Sequence, residues 1–235
     1  MTAIDMNDRD PDSPDRAVAP DPGRLLCDVF VDALPVAGAS ISVVGDHGAH
    51  SVVGASDDVA VALEASQFAL GVGPHWDALR SARPAFLYDI AVEAERGMLL
   101  PLVSEAARLG ASSLFAFPLR LGAVIVGVAD LYSRTASDRW TDETVVRACD
   151  LAVGVAAPAV RLATRSADAD HSRTGPNAVE LRREVHQAIG MVMGQLGCDA
   201  DTALLRLRAH AFAAGRPLES IAQDVIRRRL DLSTT

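Results

Sequence analysis

The spacing of apolar residues changes along this chain, and the change falls at a polar stretch, TRSADADHSRTGPN, running from Thr164 to Asn177. Ahead of it, short runs rich in Val, Ile, Phe and Ala alternate with helical patterns, as strands of a covered sheet do. Behind it, apolar residues recur only at intervals of three and four, a helical period. Such a chain is expected to form two units of different class, joined by a linker over residues 164–177 that ends in Gly175 and Pro176. A length of 235 residues, 49% of them hydrophobic, suffices for both cores.

Residues 1–23 are crowded with Asp and Pro and bury too little apolar area to offset their ordering entropy, so a disordered tail is expected there. Residues 24–163 read as an α+β unit. Leu25, Leu26, Val29, Phe30, Ala33 and Leu34 keep helical spacing up to Pro35. Two β-rich runs, ASISVVG and HSVVGAS, flank DHGA, a hairpin turn by composition. Helical patterns follow from Asp58 to Ala69 and from Pro74 to Ala82, then a short strand from Ala85 to Tyr88. A helix near Val103 to Leu109 leads into SSLFAFPLR and AVIVGVADLYS, the expected central antiparallel pair, joined by Leu121 and Gly122. A long helix from Thr141 to Ala163, with Glu143 in its first turn, closes the unit.

No segment approaches the ~20 apolar residues that span a bilayer. The opening MTAIDMNDRDPDSPDRAVAPDPG has acids and prolines where a signal peptide has its apolar core, so a cytoplasmic chain without membrane contact is expected. Cys27, Cys149 and Cys198 lie far apart with no CxxC spacing, which points to neither a metal site nor a disulfide framework. The net charge of −9 is uneven: residues 175–235 carry eight arginines against seven acids, and the excess of acid lies ahead of them. Only the C-terminal part tolerates a polyanion. The chain has no lysine, so its permanent cations are all guanidinium groups, able to fork onto phosphate or stack on a base.

The order EASQF, GVGPHWDALRSARPAFLYD, FAFPLR and VGVADLYS before a closing helix resembles the GAF domain, a small sensory module, over about Arg24 to Leu162. The resemblance implies an antiparallel sheet with flanking helices and a small ligand, cofactor or partner held on one sheet face; which one, the fold leaves open. The subfamily it most resembles usually carries Cys after the GxGP stretch, where this chain has His75, which counts against thiol-based sensing. His75 could ligate haem or another metal, but a lone histidine beside Trp76 reads as an ordinary hydrogen-bonded side chain, so no metal is assigned and the cofactor stays open.

The second unit, residues 178–235, reads as three helices. Leu181, Val185, Ala188, Ile189, Val192, Met193 and Leu196 make one face of the first, which Gly197 ends. Asp199 caps the second, whose inward stripe is Ala203, Leu204, Leu207 and Ala211, ending before Gly215. The third begins at Pro217 or Leu218 and carries Leu218, Ile221, Ala222, Val225, Ile226 and Leu230. So small a core is expected to lean on the other unit or on a second copy. Gly190 and Gly194 stand one above the other, and each costs about 0.5–1 kcal/mol relative to Ala. They are expected to admit the close approach of another backbone.

EVHQAIGMVMGQLGCDADTALLRLRAHAFAAGRPLESIAQDVI is similar over almost its whole length to the ANTAR domain, an RNA-binding module of bacterial antitermination regulators. The resemblance implies a three-helix bundle with a long coiled-coil helix, a homodimer, and binding of paired RNA stem-loops through their loop bases. It carries Gln187, Ala188 and Gly190 from the QAIG segment, and Ala203 and Arg208 from the ALLRLR segment, as RNA-binding residues. Where the family often has a basic residue, this chain has Ile189.

Helical geometry sorts the arginines. At about 100° per residue, Arg206 points away from the apolar stripe and reads as solvated, whereas Arg208 sits at the stripe's edge and needs a buried partner or a ligand. Arg182, Arg183 and Arg216 are within the same unit and suited to phosphate; Arg183 and Arg216 join the candidate set. The expected function is a signal-responsive regulator of transcription termination that carries out no covalent chemistry. Two alternatives remain: a DNA-binding helix-turn-helix, which Glu219 and Asp224 on the last helix suit poorly, and a cysteine redox enzyme, for which no nucleophile and base are paired in sequence.

Overall fold

The computed structural model describes residues 21–45, 50–97, 99–136, 139–169 and 178–234, with backbone alone at 167–169, 178–183 and 234. Of the tail expected at 1–23, residues 1–20 lie outside these residues, as does the DHGA turn. Asp21 caps the first helix, and Pro22 and Gly23 already belong to it, so that helix starts earlier than the apolar spacing suggests.

In chain order the elements are α1 (Pro22–Ala33), β1 (Gly38–Val44), β2 (His50–Ala55), α2 (Asp58–Leu70), α3 (Pro74–Ser81), β3 (Ala85–Leu87), α4 (Ile90–Glu95) and α5 (Leu100–Arg108). Then come β4 (Ser113–Leu121), β5 (Val124–Ser133), α6 (Asp142–Ala169), α7 (Ala178–Leu196), α8 (Ala200–Ala214), α9 (Leu218–Ile226) and a 3-10 turn, Leu232–Thr234. The mixed α+β class expected from the sequence is the one observed. The strands form one sheet in the order β2-β1-β5-β4-β3. Every pairing is antiparallel, and β4 and β5 are the expected central hairpin.

Strand period decides the two faces. Phe115, Phe117 and Leu119 of β4 join Ala129 and Leu131 of β5 under α1 and α6, with Cys27, Phe30, Ala152 and Ala156. The alternate residues Leu114 and Tyr132 face Leu63, Ile90 and Leu102 on the opposite side. Because both faces are covered, β4 is buried along most of its length and its sequence shows an apolar run rather than strict alternation. At the N-terminal end of α1, Gly23 lies against the β2 backbone at Val53 and Gly54, an approach that a Cβ on either glycine would block.

Three elements depart from expectation. α4 was not foreseen: it is six residues long, and Asp89 caps it by accepting from the Ala91 and Val92 N–H groups at 2.9 and 3.3 Å. One turn and a half is too short for a periodic signal. α6 runs past Ala163 to Ala169, through the first residues assigned to the linker, while 170–177 lie outside the described residues. Its polar C-terminal part offers no apolar period, so the sequence marks the end of the buried face and not of the helix. α9 stops at Ile226 rather than Leu230, because the backbone N–H groups of Arg229 and Leu230 turn back onto Asp224 O and Arg228 takes φ of 55°.

α7, α8 and α9 share a core of Val185, Ala188, Ile189, Val192, Ala203, Leu204, Leu207, Ala211, Leu218, Ile221, Ala222 and Val225. The caps are as the sequence suggests: Asp199 accepts from Thr202 N–H at 2.8 Å, and Gly215 closes α8 with φ of 60°. This core is completed from outside, since Phe68 of α2 is one of its buried members and Trp76 of α3 packs on it. Fewer than sixty residues bury a marginal core by themselves, and here the N-terminal unit supplies the missing side.

Candidate nucleic-acid interface

The QAIG segment lies on α7, and helical period splits its residues. Ala188 is fully buried in the three-helix core, whereas Gln187 and Gly190 face outward. Gly194, four residues on, is also exposed. A Cβ at Gly190 or Gly194 would meet nothing within 4 Å. The expected close backbone approach therefore does not occur within the chain, and the stripe of Gln187, Gly190 and Gly194 is open. On α8 the ALLRLR segment divides likewise: Ala203 is buried in the core and Arg206 is exposed. Ala188 and Ala203 shape the bundle without presenting a contact surface. The Arg183 side chain lies outside the described residues.

Arg216, at the turn into α9, pairs with Asp224 at 2.8 Å, and Arg229 forks onto the same carboxylate. Hydrogen bonds from Arg229 and then Arg216 hold the Asp224 carboxyl below the usual carboxylate range. The acid that counted against nucleic-acid contact is thus neutralised by two neighbours. Arg227 and Arg228 are exposed beside it. On α8 a ridge of Leu205 and Phe212, seven residues apart and so on one face, is 64% and 80% exposed. The sequence marks Phe212 as the unit's single aromatic, but its period alone does not show that it faces water.

Arg208 sits at neither kind of surface. It reaches the C-terminal end of α2, where its Nε and Nη2 donate to Phe68 O at 3.0 and 2.6 Å. Its guanidinium carbon lies 4.6 Å from the Trp76 ring centroid and 5.4 Å from that of Phe68. Burial pushes the group down to about 10, which leaves it a cation at neutral pH. The charge is compensated by a carbonyl at the negative end of a helix and by two ring faces. Gly71 ends α2 with φ of 71°, and a Cβ there would come within 2.8 Å of Arg208 Nη1. Of the two fates that the edge of the stripe allowed, a buried partner is the one in this arrangement.

A second contact runs parallel to it. His186 of α7 places Nε2 2.7 Å from His50 O and 3.2 Å from His50 N, at the first residue of the edge strand β2. It donates to the carbonyl when that nitrogen carries the proton and accepts from the N–H when it does not. The His50 ring lies 5.0 to 5.5 Å from those of His75, Trp76 and Phe68.

Behind these rings is a buried polar network. His75 Nδ1 is 2.7 Å from Asp130 Oδ2, with side chains 1% and 8% exposed. Gln67 joins them: its Nε2 donates to Asp130 Oδ1 at 3.4 Å, and its Oε1 accepts from the His75 N–H at 3.0 Å. Trp76 Nε1 donates to Gln67 O at 2.7 Å. The network ties α2 and α3 to the central strand β5, and it holds the two rings that meet Arg208. His75 is thereby a bonded core histidine. Among the described residues no three His, Cys, Asp or Glu side chains converge as a metal would need.

The thiols do not form a reactive set. Cys27 is buried, and burial followed by the nearby Asp28 charge pushes it up to about 12. Cys149 is raised by burial too, and Cys198 lies in the other unit. A cleft of about 390 Å3 opens between α3, β3 and α4, lined by Asp77, Phe86, Tyr88, Asp89, Glu93 and Arg96 among others. No helix among the described residues is long and apolar enough to cross a membrane.

Comparison with known proteins agrees with part of this reading. Residues 176–226, which span α7 to α9, match the family model of the ANTAR domain. No curated protein matches the chain. Among solved structures the chain is similar to a domain of a two-component sensor histidine kinase from Sinorhizobium meliloti 1021 (20% identity, 61% of this chain and 92% of that one, TM-score 0.46). It is also similar to the GAF domain region of a membrane protein from Geobacter sulfurreducens PCA (21% identity, 59% and 90%, TM-score 0.45). A third is a type II free methionine-R-sulfoxide reductase from Thermoplasma acidophilum (18% identity, 59% and 89%, TM-score 0.42).

Proposed function

We propose that this chain is a signal-responsive regulator of transcription termination, whose N-terminal unit senses a ligand and whose C-terminal unit binds paired RNA stem-loops. The observation that carries the reading is the ANTAR match over α7 to α9, together with the open face of α7 at Gln187, Gly190 and Gly194. In that reading two copies pair in the cytoplasm and present loop-binding surfaces side by side. Gln187 reads base edges, Arg208 and Arg216 supply guanidinium contacts, and Arg183 of α7 joins them at phosphate. Ala188 and Ala203 support these residues from within the bundle. RNA captured in this form cannot complete a terminator stem.

With its charges nearly balanced, the unit depends on directed arginines more than on a bulk positive field. The exposed Phe212 adds an aromatic face on which an unstacked base can lie. In the N-terminal unit, the cleft beside β3 is where a small ligand would bind, and its mixture of acids with Arg96 and Arg139 suits a polar one. A ligand acts only by favouring one arrangement of the two units over another. The raised Cys27 thiol favours sensing over thiol chemistry.

The test is a gel shift at stated salt with single hairpins, tandem hairpins and duplex DNA, alongside sequencing of RNA that co-purifies with the full chain. Preference for tandem hairpins supports the proposal. Preference for duplex DNA overturns it in favour of a helix-turn-helix.

A further inference from the structure

The Phe68 and Trp76 rings and the end of α2 form a receptor for a guanidinium, and what fills it is an arginine of the C-terminal unit's own candidate surface. We propose that the N-terminal unit masks RNA binding by gripping Arg208, so that RNA and the α2 terminus compete for one side chain. This rests on the RNA-binding reading and adds the means by which that surface is withheld.

Three observations converge. The grip is specific to a guanidinium: two N–H donors fork onto one carbonyl while the plane lies against two rings, a combination that an ammonium point charge does not reproduce. The seat is shaped for it, since Gly71 leaves room that any side chain would occupy. The masked residue also matters. Arg216 and Arg229 pair with Asp224, and the unit carries eight arginines against seven acids, so with no bulk positive field the withdrawal of one directed guanidinium at the apolar stripe is felt in binding.

The seam is also wired to the interior of the N-terminal unit. Trp76 hangs from Gln67 O by its indole N–H, and Gln67 bonds both His75 and Asp130. A ligand that shifts the α2–α3 turn would move the ring and the carbonyl together. His186 anchors α7 to the β2 edge in the same docked arrangement, immediately before the exposed Gln187. Undocking therefore frees Arg208 and releases the helix that carries Gln187 in one event. Apparent RNA affinity is then the intrinsic affinity multiplied by the undocked fraction.

The test uses the full chain and a tandem-hairpin RNA recovered by co-purification. Trp76→Leu, in the N-terminal unit, is expected to tighten RNA binding about ten-fold, equivalent to about 1.4 kcal/mol. Arg208→Ala is expected to weaken it several-fold, and Arg208→Lys to weaken it less while also loosening the seam. These opposite signs identify competition for Arg208. If Trp76→Leu leaves affinity unchanged while Arg208→Ala weakens it, masking is refuted and the RNA-binding reading stands. If both variants tighten binding, the seam hides some other surface and Arg208 is not the contested group. If neither variant nor the parent binds RNA, the functional reading falls.

Should Trp76→Leu fail to fold, fluorescence serves instead. In a Trp140→Phe background Trp76 is the remaining tryptophan, and saturating RNA is expected to shift its emission to the red and raise its quenching by acrylamide. Unchanged emission and quenching at saturation would overturn the proposal.

Discussion

Replacing both Gly190 and Gly194 by Ala separates what the stripe does within one chain from what it does between molecules. Both positions lie inside α7, neither has a positive φ, and the added methyl groups would meet nothing within 4 Å. Nothing offsets the gain in helix propensity, so each substitution is worth about 0.5–1 kcal/mol and the pair about 1–2 kcal/mol. With an m-value of about 2 kcal/mol/M, the urea midpoint should rise by about 0.5–1 M at constant slope. The assay is circular dichroism at a concentration where sedimentation shows single copies. A lowered midpoint would mean that the methyls collide with a neighbour, and the open placement of the two glycines would be wrong. The same variant is expected to weaken pairing of two copies, or the grip on tandem hairpins, at least ten-fold. If stability rises while both remain intact, the stripe is not an interface at all.

Asp130→Ala should lower stability by about 3 kcal/mol in thermal or urea unfolding, because it strips His75 Nδ1 and Gln67 of a buried acceptor. Asp130→Asn should lose less, since an amide oxygen still accepts; equal losses would mean that the hydrogen bonds contribute little. The Cys27 thiol, raised from 9.0 to about 12, should have a thiolate fraction of about one in ten thousand at pH 8 and resist alkylation until the chain unfolds. As its folded value lies above its unfolded one, its contribution to stability is complete below about pH 9 and declines as pH climbs toward 12. Cys27→Ala should remove that part of the alkaline loss, and rapid labelling of native Cys27 would contradict its burial. Phe212→Ala should leave stability within about 0.5 kcal/mol, yet reduce loop-RNA affinity by an amount matching about 1–3 kcal/mol of base stacking. Unaltered RNA affinity would remove Phe212 from the surface.

Elements with a long apolar period were legible before any coordinates: α7 and α8 are where the stripes put them, and β4 and β5 pair as the two apolar runs suggested. What escaped was set by single hydrogen-bonding groups, side-chain or main-chain, acting over short distances. α4 exists because Asp89 caps two N–H groups, and α9 ends early because Asp224 recaptures the chain that follows it. Of the candidate residues, period alone separates inward Ala188 from outward Gln187, but family resemblance carries both without saying which faces a ligand. Arg208 shows the deeper limit. Its place at the edge of a stripe gave the need for a partner, whereas the partner, the Phe68 carbonyl, is an atom that no side-chain pattern records. Long-range docking of this kind depends on where two units meet, and a one-dimensional pattern holds no information about that.

The order of strands has one more effect on how the molecule is built. β2 is an outermost strand of the sheet, and at its first residue, His50, His186 Nε2 from the other unit lies against the main chain, taking the C=O or the N–H according to its tautomer. The opposite border, β3, is only three residues long and offers little to pair with. Cutting the chain after α6 would uncover the longer border at one end, and unsatisfied main-chain groups along a sheet margin recruit strands from other molecules. At that end of the sheet, the C-terminal unit covers a margin of its neighbour that would otherwise be open to pairing.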